Sequence, residues 1–201
     1  MKHPYAFTLL LGIGLLFGAG CQSNKETLLM GDFFTGNLVS YKNGKMDIIA
    51  SGFRGADAIE QDGDMLYVSS WPLGKVWSYN LATQEKRELK GDFTTAADFY
   101  LDRAGKQLVV PDMLESKIHL LKLKDDGSAT VSKTLDAPSK PESVCRGFND
   151  KLYVTMINGD EPGDGGINVI VCDEVKDFCR GMNSPKGIAF VGGYLVTADE
   201  T

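Results

Sequence analysis

Short apolar runs recur along the chain at a fixed spacing. The segment Leu66–Asn80 (LYVSSWPLGKVWSYN) reads as two strands and a turn. Leu66-Tyr67-Val68 is aromatic and branched, Trp71-Pro72-Leu73-Gly74 interrupts, and Val76-Trp77-Ser78-Tyr79 begins a second alternating run. The same pattern starts at Leu28, Leu108 and Leu152 and, cut short, at Leu195. A second motif precedes each of the last four leucines: Ala56-Asp57-Ala58-Ile59, Ala97-Asp98-Phe99-Tyr100, Pro141-Glu142-Ser143-Val144 and Pro185-Lys186-Gly187-Ile188. A weaker run closes each unit, at Met46–Ala50, Lys86–Leu89, Thr130–Leu135 and Asp177–Arg180. No window shows a helical period, and turn-forming Gly, Asn, Asp and Pro bound every run.

These observations predict an all-β chain of about 42 residues per repeat with four short strands in each, which is the blade of a β-propeller. A sandwich has no reason to repeat at this period, and a parallel β-helix repeats at a shorter one. We label the strands of a unit A to D. The chain enters on a B strand and stops just after another, giving four repeats and a partial fifth. A six-bladed ring needs about 250 residues at this period. The phase therefore predicts an incomplete piece of a longer, six-bladed ring.

The N-terminal residues fall outside this pattern. Lys2 and His3 precede the apolar run Ala6–Phe17, which is too short to cross a bilayer of about 30 Å hydrocarbon. Gly18-Ala19-Gly20 then leads into Cys21, and this resembles a bacterial lipoprotein signal in which the cysteine is lipidated. The expected organisation is a signal peptide over 1–20, a polar tether over 21–27 and the propeller over 28–201. The expected location is the cell envelope, with membrane attachment only through the lipid on Cys21.

The chain carries 27 acidic against 21 basic residues, with no basic stripe, which argues against nucleic acid as a partner. In an exported chain Cys172 and Cys179, flanking the turn VCDEVKDFC, are candidates for a disulfide, and Cys145 reads as a buried small hydrophobe. Cys-x-x-Cys, G-x-S-x-G and phosphate-loop motifs are missing from the sequence, and His119 is the single histidine beyond the signal segment. A Ser-His-Asp hydrolase and a zinc site are therefore not expected.

Repeat equivalence brings out one constellation. Asp57, Asp98, Glu142 and Lys186 hold the same place in four successive A strands, which line the central channel of a propeller. Three carboxylates converging there suit Ca²⁺ or another divalent cation. The competing reading is that each carboxylate accepts hydrogen bonds from its own turn. The B–C loops on the same face contribute Phe33, Phe34, Trp71, Asp112 and Asn158, the last at the start of the long acidic loop NGDEPGDGG. That loop lacks the alternation of an EF-hand. Arg54 stands just before the ring position as a candidate for an anionic ligand.

The stretches KPESV…LYVTM, SPKGIAF…GYLVTADE and AADFYLDRAGKQLVVPDMLESKI resemble the senescence-marker-protein/gluconolactonase propellers and the related NHL-type repeats, in particular exported bacterial members. The resemblance spans Leu28 to the end. It implies a divalent cation, usually Ca²⁺, at the channel mouth, with Glu142 of the Pro-Glu pair similar to a ligand position. Lys186 departs from the family: it stands in Ser-Pro-Lys-Gly where the hydrolases carry Ser-Pro-Asn-Gly, and an ammonium group offers a metal no acceptor. Two readings follow. One is a lipid-anchored module that binds a sugar- or lactone-like small molecule or an envelope protein on its loop face. The other is a metal-dependent hydrolase of sugar lactones or similar esters, with Glu142, Asp98 and Asp57 around the cation.

Overall fold

The computed structural model describes residues 27–157 and 161–200. The expected signal segment, the candidate lipidation site Cys21 and the candidate Asn158 lie outside the described residues. Among the described residues seventeen strands form five antiparallel sheets in chain order. The first holds β1 (Leu28–Gly31), β2 (Leu38–Lys42) and β3 (Lys45–Ala50). The second holds β4 (Ala56–Asp62), β5 (Met65–Ser70), β6 (Lys75–Asn80) and β7 (Lys86–Glu88). The third holds β8 (Tyr100–Asp102), β9 (Gln107–Asp112), β10 (Lys117–Leu123) and β11 (Ala129–Asp136). The fourth holds β12 (Lys140–Arg146), β13 (Leu152–Ile157), β14 (Gly165–Val171) and β15 (Glu174–Met182). β16 (Pro185–Val191) and β17 (Tyr194–Asp199) pair as the fifth. This is the predicted repeat: each sheet is a meander, and the first lacks an A strand while the last has only A and B.

Four apolar clusters lie between successive sheets. Leu38 of the first sheet meets Leu66, Val68 and Trp77 of the second, and Tyr67 and Val76 face Leu101, Leu108 and Val110 of the third. Val109 and Ile118 meet Val154 and Met156 of the fourth, and Tyr153 and Ile167 meet Ile188 of the fifth. Both faces of an inner B strand are thus buried, which is why Leu66-Tyr67-Val68 and Leu108-Val109-Val110 are continuous apolar runs. The end sheets have a neighbour on one side only, and the ring is open. Met46 and Ile48 are 65% exposed on the first sheet, and Tyr194 is 73% exposed on the last.

Three of the four A strands, β4, β12 and β16, carry a shared irregularity. Ala56 opposes Ser70 and Ile59 opposes Val68, so Asp57 and Ala58 share Ser69. Glu142 and Ser143 likewise share Thr155, and Lys186 and Gly187 share Ala198. This is a β-bulge, a device that re-aims side chains. The hydroxyl opposite takes up the displaced amide: Ala58 N–H donates to Ser69 Oγ at 3.1 Å, and Ser143 N–H to Thr155 Oγ1 at 3.0 Å.

The candidate disulfide does not form. Cys172 and Asp173 both have positive φ, 50° and 67°, and make the tight turn between β14 and β15. Cys179 lies back along β15 opposite Ile167, so the two thiols occupy different levels of the hairpin. Cys145, Cys172 and Cys179 are all free. Reducing agent is therefore expected to leave the melting temperature unchanged in calorimetry, where loss of a bridge would cost about 2–5 kcal/mol.

Candidate functional site

The bulges bring the repeat-equivalent side chains to one end of the channel. Asp57, Glu142 and Lys186 line a cleft of about 220 Å³ together with Phe33, Trp71 and Met113. Each comes from a predictable place: the charged groups from A strands β4, β12 and β16, and the apolar ones from the B–C loops of the first three sheets. The loops are seated by close backbone approach. Gly36, at φ +69°, lies against Arg54, where an added Cβ would stand 2.6 Å from the Arg54 nitrogen. Gly74, at φ +56°, would place a Cβ 2.3 Å from the Phe93 carbonyl oxygen.

Asp98 stands deeper. It leaves the ladder of its own sheet: its N–H donates to the Glu142 carbonyl at 3.1 Å, and it bridges to Ser143 of the next sheet. The Ser143 hydroxyl donates to Asp98 Oδ2 at 2.5 Å, and the Ile188 amide donates to Ser143 Oγ at 3.2 Å. Burial foremost raises the Asp98 pKa to about 6, with the Ser143 hydrogen bond opposing and the charges of Asp57 and Glu60 assisting. Burial also raises Glu142, against the pull of Lys186 and with Asp57, Asp98 and Glu200 adding to the rise. Asp57 is open to water at the mouth, yet the surrounding protein still raises its pKa, with Lys186 lowering it. One Glu142 oxygen, Oε2, is cut off from water with no hydrogen-bond partner. Lys186 Nζ pairs with Glu200 Oε2 at 3.2 Å.

The carboxylates thus share one region, but they do not build an ion cage. Among the described residues no three Asp, Glu, His or Cys side chains come close enough together to hold a metal ion. The donor set therefore does not by itself fit the divalent cation that the sequence suggests.

Asp112 is not on the ligand face. It is fully buried and accepts from Thr94 N–H at 2.7 Å, Thr95 N–H at 3.1 Å and the Thr95 hydroxyl at 3.0 Å. As the last residue of β9 it clamps the loop that enters its own sheet. Equivalent positions do the same: the Ser70 hydroxyl donates to the Arg54 carbonyl at 2.8 Å, and Asp199 accepts from Asn183 and Ser184. Arg54 is exposed, and its structural contribution is this carbonyl. Sequence reasoning did not find Thr155, whose hydroxyl holds the bulge, or Ser143, whose hydroxyl ties Asp98 to Ile188. Part of the signal was available in the small residues Ala58, Ser143 and Gly187 that follow Asp57, Glu142 and Lys186, whereas Asp98 is followed by Phe99.

With an all-β ring of four-stranded repeats and a cleft at its channel mouth, the chain is a β-propeller by fold. No protein-family model matches its sequence, and no curated protein does. Solved structures match in shape. A candidate gluconolactonase aligns with TM-score 0.69 at 15% identity over 89% of this chain and 69% of its own. A streptogramin B lyase aligns with TM-score 0.68 at 12% identity over 88% of this chain, and the match spans 60% of the lyase. A chain of a nidogen/laminin complex aligns with TM-score 0.67 at 16% identity, over 86% and 70% respectively. At such identities the likeness shows the fold.

Proposed function

We propose that the chain belongs to an exported, lipid-anchored, gluconolactonase-like propeller that binds a ligand or another envelope protein at this cleft, without catalysing a reaction there. The observation that carries the reading is Lys186. Its ammonium group lines the cleft where a metal would need an acceptor, and while paired with Glu200 it offsets only part of the charge of Asp57 and Glu142. Two of the likenesses are to proteins described as a candidate gluconolactonase and a lyase, and one is to a chain of a two-protein complex, so the fold serves both kinds of role. Calorimetric titration of the full chain with Ca²⁺, Mg²⁺ and Zn²⁺ tests it. The expected outcome is no heat of site binding and no metal-dependent rise in melting temperature.

A specific observation favours the second reading, hydrolysis of a sugar lactone or similar ester with a divalent cation at the channel mouth. It is the buried, unpartnered Glu142 Oε2, which a cation would satisfy. A single Ca²⁺ site that disappears in Glu142→Ala, together with metal-dependent lactone hydrolysis, would establish that reading and displace the first.

A further inference from the structure

The rim of the cleft differs in chemistry from its floor. Phe34 is 91% exposed, Leu114 59% and Leu73 42%, and these sit beside the lining residues Phe33, Met113 and Trp71 on the B–C loops of three successive sheets. Phe34 stacks edge-on against Phe33 at 5.5 Å. Apolar side chains held out at neighbouring loop tips around a polar cleft mark a protein-binding surface rather than a small-molecule pocket.

The floor sets the charge of the guest. Asp57, Asp98 and Glu142 converge here, and among the described residues none of them has a basic side chain within ion-pairing distance. Among the described residues Lys186 is the one cation lining the cleft, and its pairing with Glu200 leaves it to offset only part of the carboxylates' charge. The region is net negative, so an anion is repelled, and an uncharged sugar leaves the buried Glu142 Oε2 without a counter-charge. Phe33 and Trp71 add aromatic walls next to the carboxylates, the surroundings in which an ammonium or guanidinium group gains from both ring faces and ion pairing.

We propose that this face docks a partner protein through one lysine or arginine side chain. Its cationic head enters the cleft of Phe33, Trp71, Asp57 and Glu142, and the apolar neighbours of that residue settle on Phe34, Leu73 and Leu114. The inference rests on the binding-module reading and names its partner's chemistry.

The test is fluorescence anisotropy of the full chain with a labelled, capped peptide that carries one arginine between two leucines. The comparison peptide has citrulline in place of the arginine, which keeps the shape and removes the charge. The arginine peptide is expected to bind, and the citrulline peptide to bind at least about tenfold more weakly. Glu142→Gln and Trp71→Leu should each weaken binding roughly tenfold. Lys186→Gln, which deletes the competing internal cation, should strengthen it several-fold. That opposite sign separates a lost contact from general damage to the fold. Phe34→Ser, at a side chain exposed enough to spare stability, should weaken the peptide and leave methylguanidinium unaffected.

Equal binding of the citrulline peptide overturns the proposal. So does absence of arginine-peptide binding up to about 1 mM, the edge of meaningful affinity, by protein that melts cooperatively. Binding of gluconate that Lys186→Gln abolishes also overturns it, while leaving a non-catalytic binding module standing. Metal-dependent hydrolysis removes both.

Discussion

Replacing Asp112 by alanine is expected to destabilise the fold by about 3–5 kcal/mol. Its carboxylate has no exposed surface and accepts from the Thr94 and Thr95 amides and the Thr95 hydroxyl, with a longer contact to Glu115 N–H at 3.4 Å. Alanine would leave the amides of Thr94 and buried Thr95 without their acceptor and the Thr95 hydroxyl, which still accepts from Leu114 N–H at 3.2 Å, with nothing to donate to; each orphaned buried donor costs about 1–3 kcal/mol. His119 offers no substitute. Its Nε2 lies 3.9 Å from Asp112 Oδ2, and burial lowers its pKa, so the ring is neutral near pH 7. The loop that Asp112 holds carries Phe93, whose ring packs against His119 at 5.2 Å, so the loss would spread into the seam between the second and third sheets. At about 2–4 °C per kcal/mol for a chain of this size, the melting temperature should fall by roughly 6–20 °C in calorimetry. A change under about 1 kcal/mol in urea titration would show that the clamp does not hold the loop.

Asp112 also shows where sequence reasoning stops. The repeat places it in a B–C connection, among residues that face a ligand in other propellers, and its charge invites that reading. Strand parity decides otherwise. It is the last residue of β9, and its side chain falls on the same side as the loop entering the sheet, where Ser70 and Asp199 do the same work with different chemistry. A repeat pattern conserves the place and not the residue type, so a single sequence does not reveal the shared role. Cys172 and Cys179 illustrate a second limit. Their spacing suits a hairpin, but which residues occupy its turn depends on left-handed backbone at Cys172 and Asp173, a choice normally made by Asn or Gly.

What was legible followed from long-range regularity. The B strands at Leu66, Leu108 and Leu152 had to be buried on both faces, and they fill the seams between sheets. The alignment of Asp57, Glu142 and Lys186 at one cleft follows from the same regularity. The bulge that turns them inward was not legible as geometry, because it is a mismatch between two strands and appears in neither strand alone. It decides the electrostatics: it crowds like charges into a half-buried ring where the sequence suggests a metal cage, and then supplies hydroxyls where a cage would need carboxylates.

That crowding sets the second large effect. Asp98→Asn is expected to stabilise the chain at pH 8 and to leave it unchanged near pH 4. Asp98 has a folded pKa of about 6 against an ordinary value of 3.8, with burial as the main cause. Between those values the folded chain keeps a proton that the unfolded chain has released, so stability falls as pH rises across the window and stays low above it. At 1.36 kcal/mol per pH unit, the ionised carboxylate costs on the order of 2–3 kcal/mol above pH 6. Asparagine carries no charge, and its side-chain oxygen still accepts from the Ser143 hydroxyl. The difference between variant and parent, measured by urea unfolding from pH 4 to pH 8, should therefore open through pH 5 and reach its full value above pH 6. Glu142 and Asp57, whose pKa values are raised as well, add to the parent's slope with the same sign. A flat difference, or a variant weaker than the parent at pH 8, would mean that Asp98 is held charged by its neighbours at no cost. If the cleft docks a cationic side chain as proposed, the guest's positive charge would relieve part of this cost.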